Sequence, residues 1–291
     1  MGVTRRAPAG DTATATALFA PAALFIALFW AGPVVLGMLL SLRGADGREF
    51  VGLANYQQVL GEATFRQNIR LSLLYVAGVV SLTIPVAYAA ATALARLPER
   101  GCARSLFLIP WVIPPVVSAL VFRAMAADGG PLTGLYRWLS GNPQLYPLQD
   151  GAWAMTTIVL HSVWRSVAFI TLFLAAGLAA IPQTLFEAAA VDGATRWQRF
   201  WSLQLPLTCP HLAVGLVLVT AFTLQDAETV YALTSGGPAH DTEVAAVRLF
   251  KEAFDYGQMH VATAIGGLLL VVASAFMAGY LLLLRQTEAS A

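Results

Sequence analysis

Glu187-Ala-Ala-Ala-Val-Asp-Gly193, continued by Ala194-Thr-Arg-Trp-Gln-Arg-Phe-Trp-Ser202 and Leu203-Gln-Leu-Pro206, is a polar, helix-favouring stretch set between two long apolar runs. The run before it, Ala152–Ala180, and the run after it, Cys209–Gln225, are nearly free of charge. About 20 residues at 1.5 Å rise cross a hydrocarbon core of about 30 Å. The stretch therefore reads as a short polar connection between two membrane helices, and the rest of the chain is read outward from it.

Four more runs of the same kind flank this pair: Thr16–Leu42, Leu71–Ala95, Ser105–Phe122 and Val261–Leu284. Of the 291 residues 58% are hydrophobic and only 11% charged, where a soluble domain carries about 25% charged residues. The expectation is an all-α integral membrane protein with six spans: a tail 1–15, a transmembrane domain 16–284 and a tail 285–291. Helices are expected because lipid offers the backbone no hydrogen-bond partners. Ser105–Phe122 and Cys209–Gln225 are short for a crossing and are expected to borrow flanking residues. Pro110, Pro114 and Pro115 remove donors inside the third run and predict a kink there. Arg5 and Arg6 before an apolar run resemble a secretory leader, but the run exceeds the 7–15 residues of such a segment, so an uncleaved first helix is expected.

Charge says less about orientation. With both termini inside, basic residues divide evenly between the two sides, but those inside are packed into shorter segments, with Arg96–Arg104 a compact positive cluster of the kind that resists translocation. Cys102 and Cys209 both fall on the expected inner side and have no metal-ligand spacing. The single lysine, Lys251, follows Phe250, so no phosphate-binding G-x-x-x-x-G-K-[ST] loop exists in this chain. No zinc-protease, Cys-x-x-Cys or Gly-x-Ser-x-Gly pattern occurs, and a net charge of +1 without a basic stripe disfavours nucleic acid. No catalytic residues and no metal site are expected.

The polar residues inside the runs are the exceptions. Arg165 lies near the middle of the fourth span, where an ionisable group costs about 2.5–3.5 kcal/mol on insertion scales, so it is expected to face protein or a wet cavity. Asp226, at the end of the fifth span, is the partner expected for it by depth. Ser162, Arg165, Ser166 and Phe169 recur at i, i+3, i+4 and i+7 and share one helix face; Val219, Thr223 and Asp226 recur at i, i+4 and i+7 on the next helix. Hydroxyls, a cation, a carboxylate and an aromatic ring suit a polyol, whose hydroxyls must be paired in a dry site. Serine and threonine in membrane helices also serve close packing, and periodicity leaves both readings open.

Glu187, Ala188, Ala189, Gly193, Leu205 and Pro206 resemble, in residue and spacing, the EAA loop of the permease subunits of ATP-binding-cassette importers; Leu203 stands where isoleucine is usual. Further stretches resemble the carbohydrate-importer permeases of the MalF/UgpA-like type: Val51-Gly-Leu-Ala-Asn-Tyr56, Ile109-Pro-Trp-Val-Ile-Pro114, Ala180-Ile-Pro182, Val191-Asp-Gly-Ala194 and Leu233-Thr-Ser-Gly-Gly-Pro238.

The resemblance implies a type I ABC importer (MetI-like) fold and alternating access. It implies a second homologous permease, two cytoplasmic ATPases that carry ATP and Mg, an extracytoplasmic sugar-binding protein, and a bacterial or archaeal cytoplasmic membrane with both termini inside. This chain binds no cofactor of its own in that scheme. The EAA segment, with Asp192 inside it, becomes the element that docks on an ATPase. Glu187 is expected to cap or salt-bridge near a helix N-terminus, Gly193 to permit a turn that a side chain would obstruct, and Leu205-Pro206 to end the element before the next span. The sugar-contacting positions of the maltose-type pocket fall on Ser162, Arg165, Ser166, Phe169, Val219, Thr223 and Asp226. Arginine and aspartate replace smaller or neutral groups there, which argues against maltose itself. Glycerol-3-phosphate, for which Arg165 could pair a phosphate, an osmolyte, or an ion-coupled secondary transporter are the alternatives.

Overall fold

A computed structural model describes residues 9–95 and 106–289, with side chains described for 17–95 and 106–282. The basic cluster Arg96–Arg104 with Cys102, the Arg5–Arg6 pair, the first residue of the third apolar run and the Arg285 side chain lie outside what is described.

The chain is all-α. Among the described residues the only β pairing is a single antiparallel bridge, Arg43 to Phe50. Helix α1 (Ala9–Ile26) runs through a π-turn, Ala27–Ala31, into α2 (Gly32–Ser41). Next come α3 (Ala54–Gly61) and the long α4 (Ala63–Leu94), then α5 (Ile109–Val112), α6 (Pro115–Met125) and α7 (Pro131–Ser140). After α8 (Gly151–Ala179) the chain forms α9 (Gln183–Val191), α10 (Arg196–Arg199), a second π-turn at Phe200–Gln204, and α11 (Leu205–Leu224). Helices α12 (Ala227–Thr234), α13 (Ala245–Phe250) and α14 (Met259–Ala289) complete the order.

Among the described residues five helical stretches are long and apolar enough to cross a membrane: Ala17–Ser41, Ala63–Leu94, Gly151–Ala179, Arg196–Leu224 and Met259–Leu282. The third apolar run of the sequence is different. Ile113 and Pro114 are extended, with ψ of 129° and 137°, because a residue before proline is driven out of the helical region. The kink expected from the prolines is thus a full break: α5 and α6 are separate pieces, and α6 at 11 residues reaches about 16 Å, half of a hydrocarbon core. The run after the polar connection is longer than its apolar stretch suggested. Pro206 does not end an element before the span; it sits in the first turn of α11, where its missing N–H is tolerated because the preceding π-turn carries the helix through.

The core lies where α4, α8 and α11 meet. Tyr75, Val79 and Ala87 on α4 pack with Ile158, Ile170 and Leu174 on α8 and with Val219 on α11, all of them buried. A membrane supplies little hydrophobic force between helices, so close approach and polar links do more of the association. Gly177 shows the first: a Cβ there would stand 2.7 Å from His211 Cγ. The second is shown by Tyr88 Oη to Thr208 Oγ1 at 2.9 Å, Ser118 Oγ to His161 Nε2 at 2.8 Å, and Thr220 Oγ1 to Tyr280 Oη at 2.9 Å. At the end of the bundle remote from α9, the buried Glu243 carboxylate accepts from Lys251 Nζ at 2.6 Å and lies 2.8 Å from His240 Nδ1. Arg248 beside it pairs with Glu252 at 2.5 Å and Glu62 at 3.4 Å.

Candidate functional site: a cleft between spans and a turn at the helix feet

The break between α5 and α6 has a structural consequence. It leaves Trp111 free to lie against α8, where its indole stacks on Phe169 with ring centroids 4.3 Å apart and planes inclined by 16°. Phe222 of α11 closes the aromatic corner, 5.6 Å from the Trp111 centroid. Beside this corner opens a cleft of about 220 Å³, bordered by Trp111, Ser162, Arg165, Ser166, Thr223 and Asp226. Two side chains outside the helix stripes, Gln225 and Glu228, also reach it.

Arg165 leans over the indole, its guanidinium carbon 5.8 Å from the Trp111 ring centroid, within the range of a cation–π contact. Its Nε is buried and has no hydrogen-bond partner among the described residues. The expected ion pair with Asp226 does not form within 4.0 Å among the described residues. Asp226 is engaged elsewhere: Oδ1 accepts the Thr229 amide at 2.9 Å and caps α12, while Oδ2 accepts the Tyr75 hydroxyl at 2.9 Å. Tyr75 Oη also lies 2.6 Å from Ser162 Oγ.

Of the two faces read from the sequence, the structure brings Ser162, Arg165, Ser166, Thr223 and Asp226 to one cleft and sets Phe169 behind it as the floor of the Trp111 stack. Val219 is a correction. It is 1% exposed and belongs to the apolar core, one turn from Thr223 along α11, where the helix packs against α4 and α8 instead of bordering the cleft. Trp111 and Tyr75 were not singled out as site residues by sequence reasoning. Trp111 had one signal, an aromatic in a run with three prolines; Tyr75, one of many aromatic residues in apolar runs, had none. A flat aromatic face, an incompletely paired guanidinium, carboxylates and hydroxyls in a small cleft can hold a ring whose edge carries several hydroxyls or a negative group.

The turn at the helix feet is built on α9. Pro182 precedes its first turn, and Gly193 follows its C-terminal Asp192 with φ of +75°. The Gly193 amide donates to Ala190 O at 3.2 Å and the Ala194 amide to Ala189 O at 2.9 Å, the paired bonds of a Schellman motif. Here too the structure corrects expectation. A Cβ on Gly193 would meet nothing within 4 Å, so what demands glycine is the left-handed backbone and not a steric obstruction. Glu187 is exposed in the second turn of α9, beyond the reach of its N-terminus, and forms no ion pair among the described residues. Thr195 then opens α10 with a capping box, its hydroxyl accepting the Gln198 amide while the Gln198 side chain accepts the Thr195 amide. Ala188 is exposed and Ala189 half-buried, leaving the outward face of α9 low and open.

A family model described as "Binding-protein-dependent transport system inner membrane component" matches residues 83–287. The trehalose/maltose transport system permease protein MalF of Thermococcus litoralis is 35% identical over 238 residues, which cover 80% of this chain and 79% of that protein. The sn-glycerol-3-phosphate transport system permease protein UgpA of Agrobacterium fabrum is 29% identical, covering 81% of this chain and 83% of that one. A solved bacterial ABC transporter involved in the import of the acidic polysaccharide alginate has the same fold in one of its chains, with a TM-score of 0.82, 20% sequence identity, and coverage of 95% of this chain and 96% of that one.

Proposed function

The chain belongs to the inner membrane components of binding-protein-dependent transport systems, and from that membership we propose that it is a permease subunit of an ATP-driven importer that passes a sugar or related polyol. Its partners in this reading are a second, homologous permease, two cytoplasmic ATPases and an extracytoplasmic binding protein. Both termini and the α9 turn face the cytoplasm. The α9 helix, with Glu187, Ala188 and Ala189 on it and the Asp192-Gly193 turn behind it, seats on an ATPase; Leu205 and Pro206 lie in the span that α9 moves.

One observation carries the substrate class: the Trp111–Phe169 stack beside Arg165, with Ser162, Ser166, Thr223 and Asp226 around the same cleft. A pyranose presents an apolar ring face and an equatorial belt of hydroxyls. The indole suits the face, and the fork of Arg165 with the Asp226 carboxylate suits paired hydroxyls. Arg165, which has no ion-pair partner among the described residues, also supports a second reading in which the cargo carries a phosphate or carboxylate.

The test is uptake in proteoliposomes holding the complete complex, with the cognate binding protein loaded with neutral, phosphorylated or acidic sugars and with ATP inside. ATP-dependent accumulation of one class, lost when the binding protein is omitted, is the expected result. Uptake that survives ATP depletion and collapses with a protonophore would overturn the importer reading.

A further inference from the structure

The span that leads down from the cleft is longer than a bilayer's hydrocarbon. Arg196–Leu224 comprises 29 residues, about 43 Å at 1.5 Å per residue, which matches the 40–45 Å of a bilayer with its headgroups and exceeds the core of about 30 Å. Its apolar part, Leu205–Leu224, is 20 residues, about 30 Å long; seated across the hydrocarbon core, it would leave Arg196 and Arg199 about two turns beyond that core, at headgroup depth.

The same place has the composition of a membrane interface. Trp197 and Trp201 are 69% and 53% exposed. Trp197 stacks on Phe200 at 5.8 Å with planes 18° apart and meets Trp201 edge-on at 5.6 Å; Phe200 is in turn edge-on to Tyr88 at 5.3 Å. Tryptophan and tyrosine gather at headgroup depth because each joins an apolar body to a polar tip. Between these rings and α4 opens a cleft of about 660 Å³ with Arg196 and Arg199 at its mouth and Pro85, Ala89 and Thr92 along its wall. Pro85, Ala89 and Thr92 are spaced i, i+4 and i+7, one face of α4 that climbs into the membrane. Neither arginine forms an ion pair among the described residues. Arg199 Nε is buried without a hydrogen-bond partner among them.

We propose that this cleft seats an anionic phospholipid, its phosphate held between Arg196 and Arg199 and its acyl chain laid along the Pro85–Ala89–Thr92 face of α4. Two guanidinium groups suit a phosphate; the choline of a zwitterionic lipid would bring a third cation beside them, so a headgroup with net negative charge is favoured, and the cytoplasmic leaflet is the anionic one. The apolar wall selects a lipid over a free anion, because a soluble phosphate has nothing to place along α4. The side of the membrane follows the proposed importer topology; the depth of the arginines does not. Phe186 of α9 also lines the cleft, so an occupant there touches the element assigned to ATPase docking.

The test is native mass spectrometry of the purified complex with all its subunits, titrated separately with phosphatidylglycerol and phosphatidylcholine of the same chain length. The expected result is at least one phosphatidylglycerol held about tenfold more tightly than phosphatidylcholine, with the preference lost in the Arg196→Gln/Arg199→Gln double variant and kept in Arg196→Lys/Arg199→Lys. Equal retention of both lipids by the wild-type complex overturns the proposal without any variant. Displacement of the lipid by millimolar inorganic phosphate overturns it in favour of a free-anion site, and phosphatidylglycerol binding seen only after the ATPases are stripped overturns it in favour of a protein contact. Each of these outcomes is independent of whether ATP-driven uptake is observed, so failure of the lipid site and failure of the importer reading are told apart.

Discussion

The Tyr75 hydroxyl donates to Asp226 Oδ2 at 2.9 Å and, 2.6 Å from Ser162 Oγ, takes that hydroxyl's proton in its own hydrogen bond. One phenol thereby ties α4 to α8 and to the cap of α12, and it fixes the carboxylate that borders the cleft.

Removing that hydroxyl tests the tie. A hydrogen bond to a charged acceptor contributes about 1.5–3 kcal/mol, so Tyr75→Phe should lower the melting temperature of the detergent-solubilised chain and reduce uptake. Asp226→Asn should do the same, and the double variant should cost less than the sum because both changes remove one interaction. Strict additivity in thermal melts would show that the two residues are not coupled.

The aromatic floor of the cleft leads to a different signature. Trp111→Ala removes the stacking face and the ring under Arg165 while α5 remains a short, exposed piece whose loss of packing is local. Uptake KM is expected to rise about tenfold, corresponding to about 1.4 kcal/mol of lost stacking and cation–π contact, with expression near normal. Trp111→Phe should recover most of the affinity. An unchanged KM in the alanine variant would place the cargo elsewhere.

At Gly193 the expected effect is on coupling. The left-handed backbone costs an ordinary residue about 1–2 kcal/mol and a β-branched one more, so Gly193→Val should distort the Schellman turn that sets the angle of α9. Binding-protein-stimulated ATP hydrolysis and uptake should fall out of proportion, uptake losing more, while the chain still inserts. Gly193→Asn should be much milder, since asparagine tolerates this region. Identical coupling ratios in all three proteins would remove α9 geometry from the transmission of force.

How far the sequence alone reached follows from which signals are periodic. Ser162, Arg165 and Ser166 were legible because a polar stripe on an apolar helix repeats at helical spacing, and the helix there runs unbroken. Val219 shares the helical period of Thr223 but packs into the core, because period does not say how far along a stripe a cleft extends; Asp226, paired with Arg165 by depth, instead caps the helix that begins after Leu224 and accepts from Tyr75. Trp111 escaped because it lies at a proline break with no period. The span Arg196–Leu224 looked short because its first residues are polar; the π-turn at Phe200–Gln204 that carries the helix through Pro206 leaves no mark in composition. Glycine at 193 was legible as a turn, but the sequence could not say that conformation and not space required it.

The Glu243 network gives the last prediction, a pH dependence. Burial pushes the Glu243 carboxyl upward, but hydrogen bonds from Lys251 and His240 outweigh burial and hold it below the usual carboxylate range. A depressed carboxylate adds stability above its unfolded value of about 4.3 and loses it as pH falls through the folded value. Lys251→Met leaves Glu243, 1% exposed, without its principal partner, which should cost about 3 kcal/mol at neutral pH. Arg248, 3.9 Å from the other carboxylate oxygen, remains too distant to replace it. In acid the stranded carboxyl can take a proton, so the melting-temperature gap between wild type and Lys251→Met should be widest near pH 7 and narrow towards pH 4. Glu252, whose carboxyl burial raises, titrates in the opposite sense, but it is present in both proteins and largely cancels in the difference. A gap that stays constant across that range would mean that Lys251 contributes through packing and not through its charge.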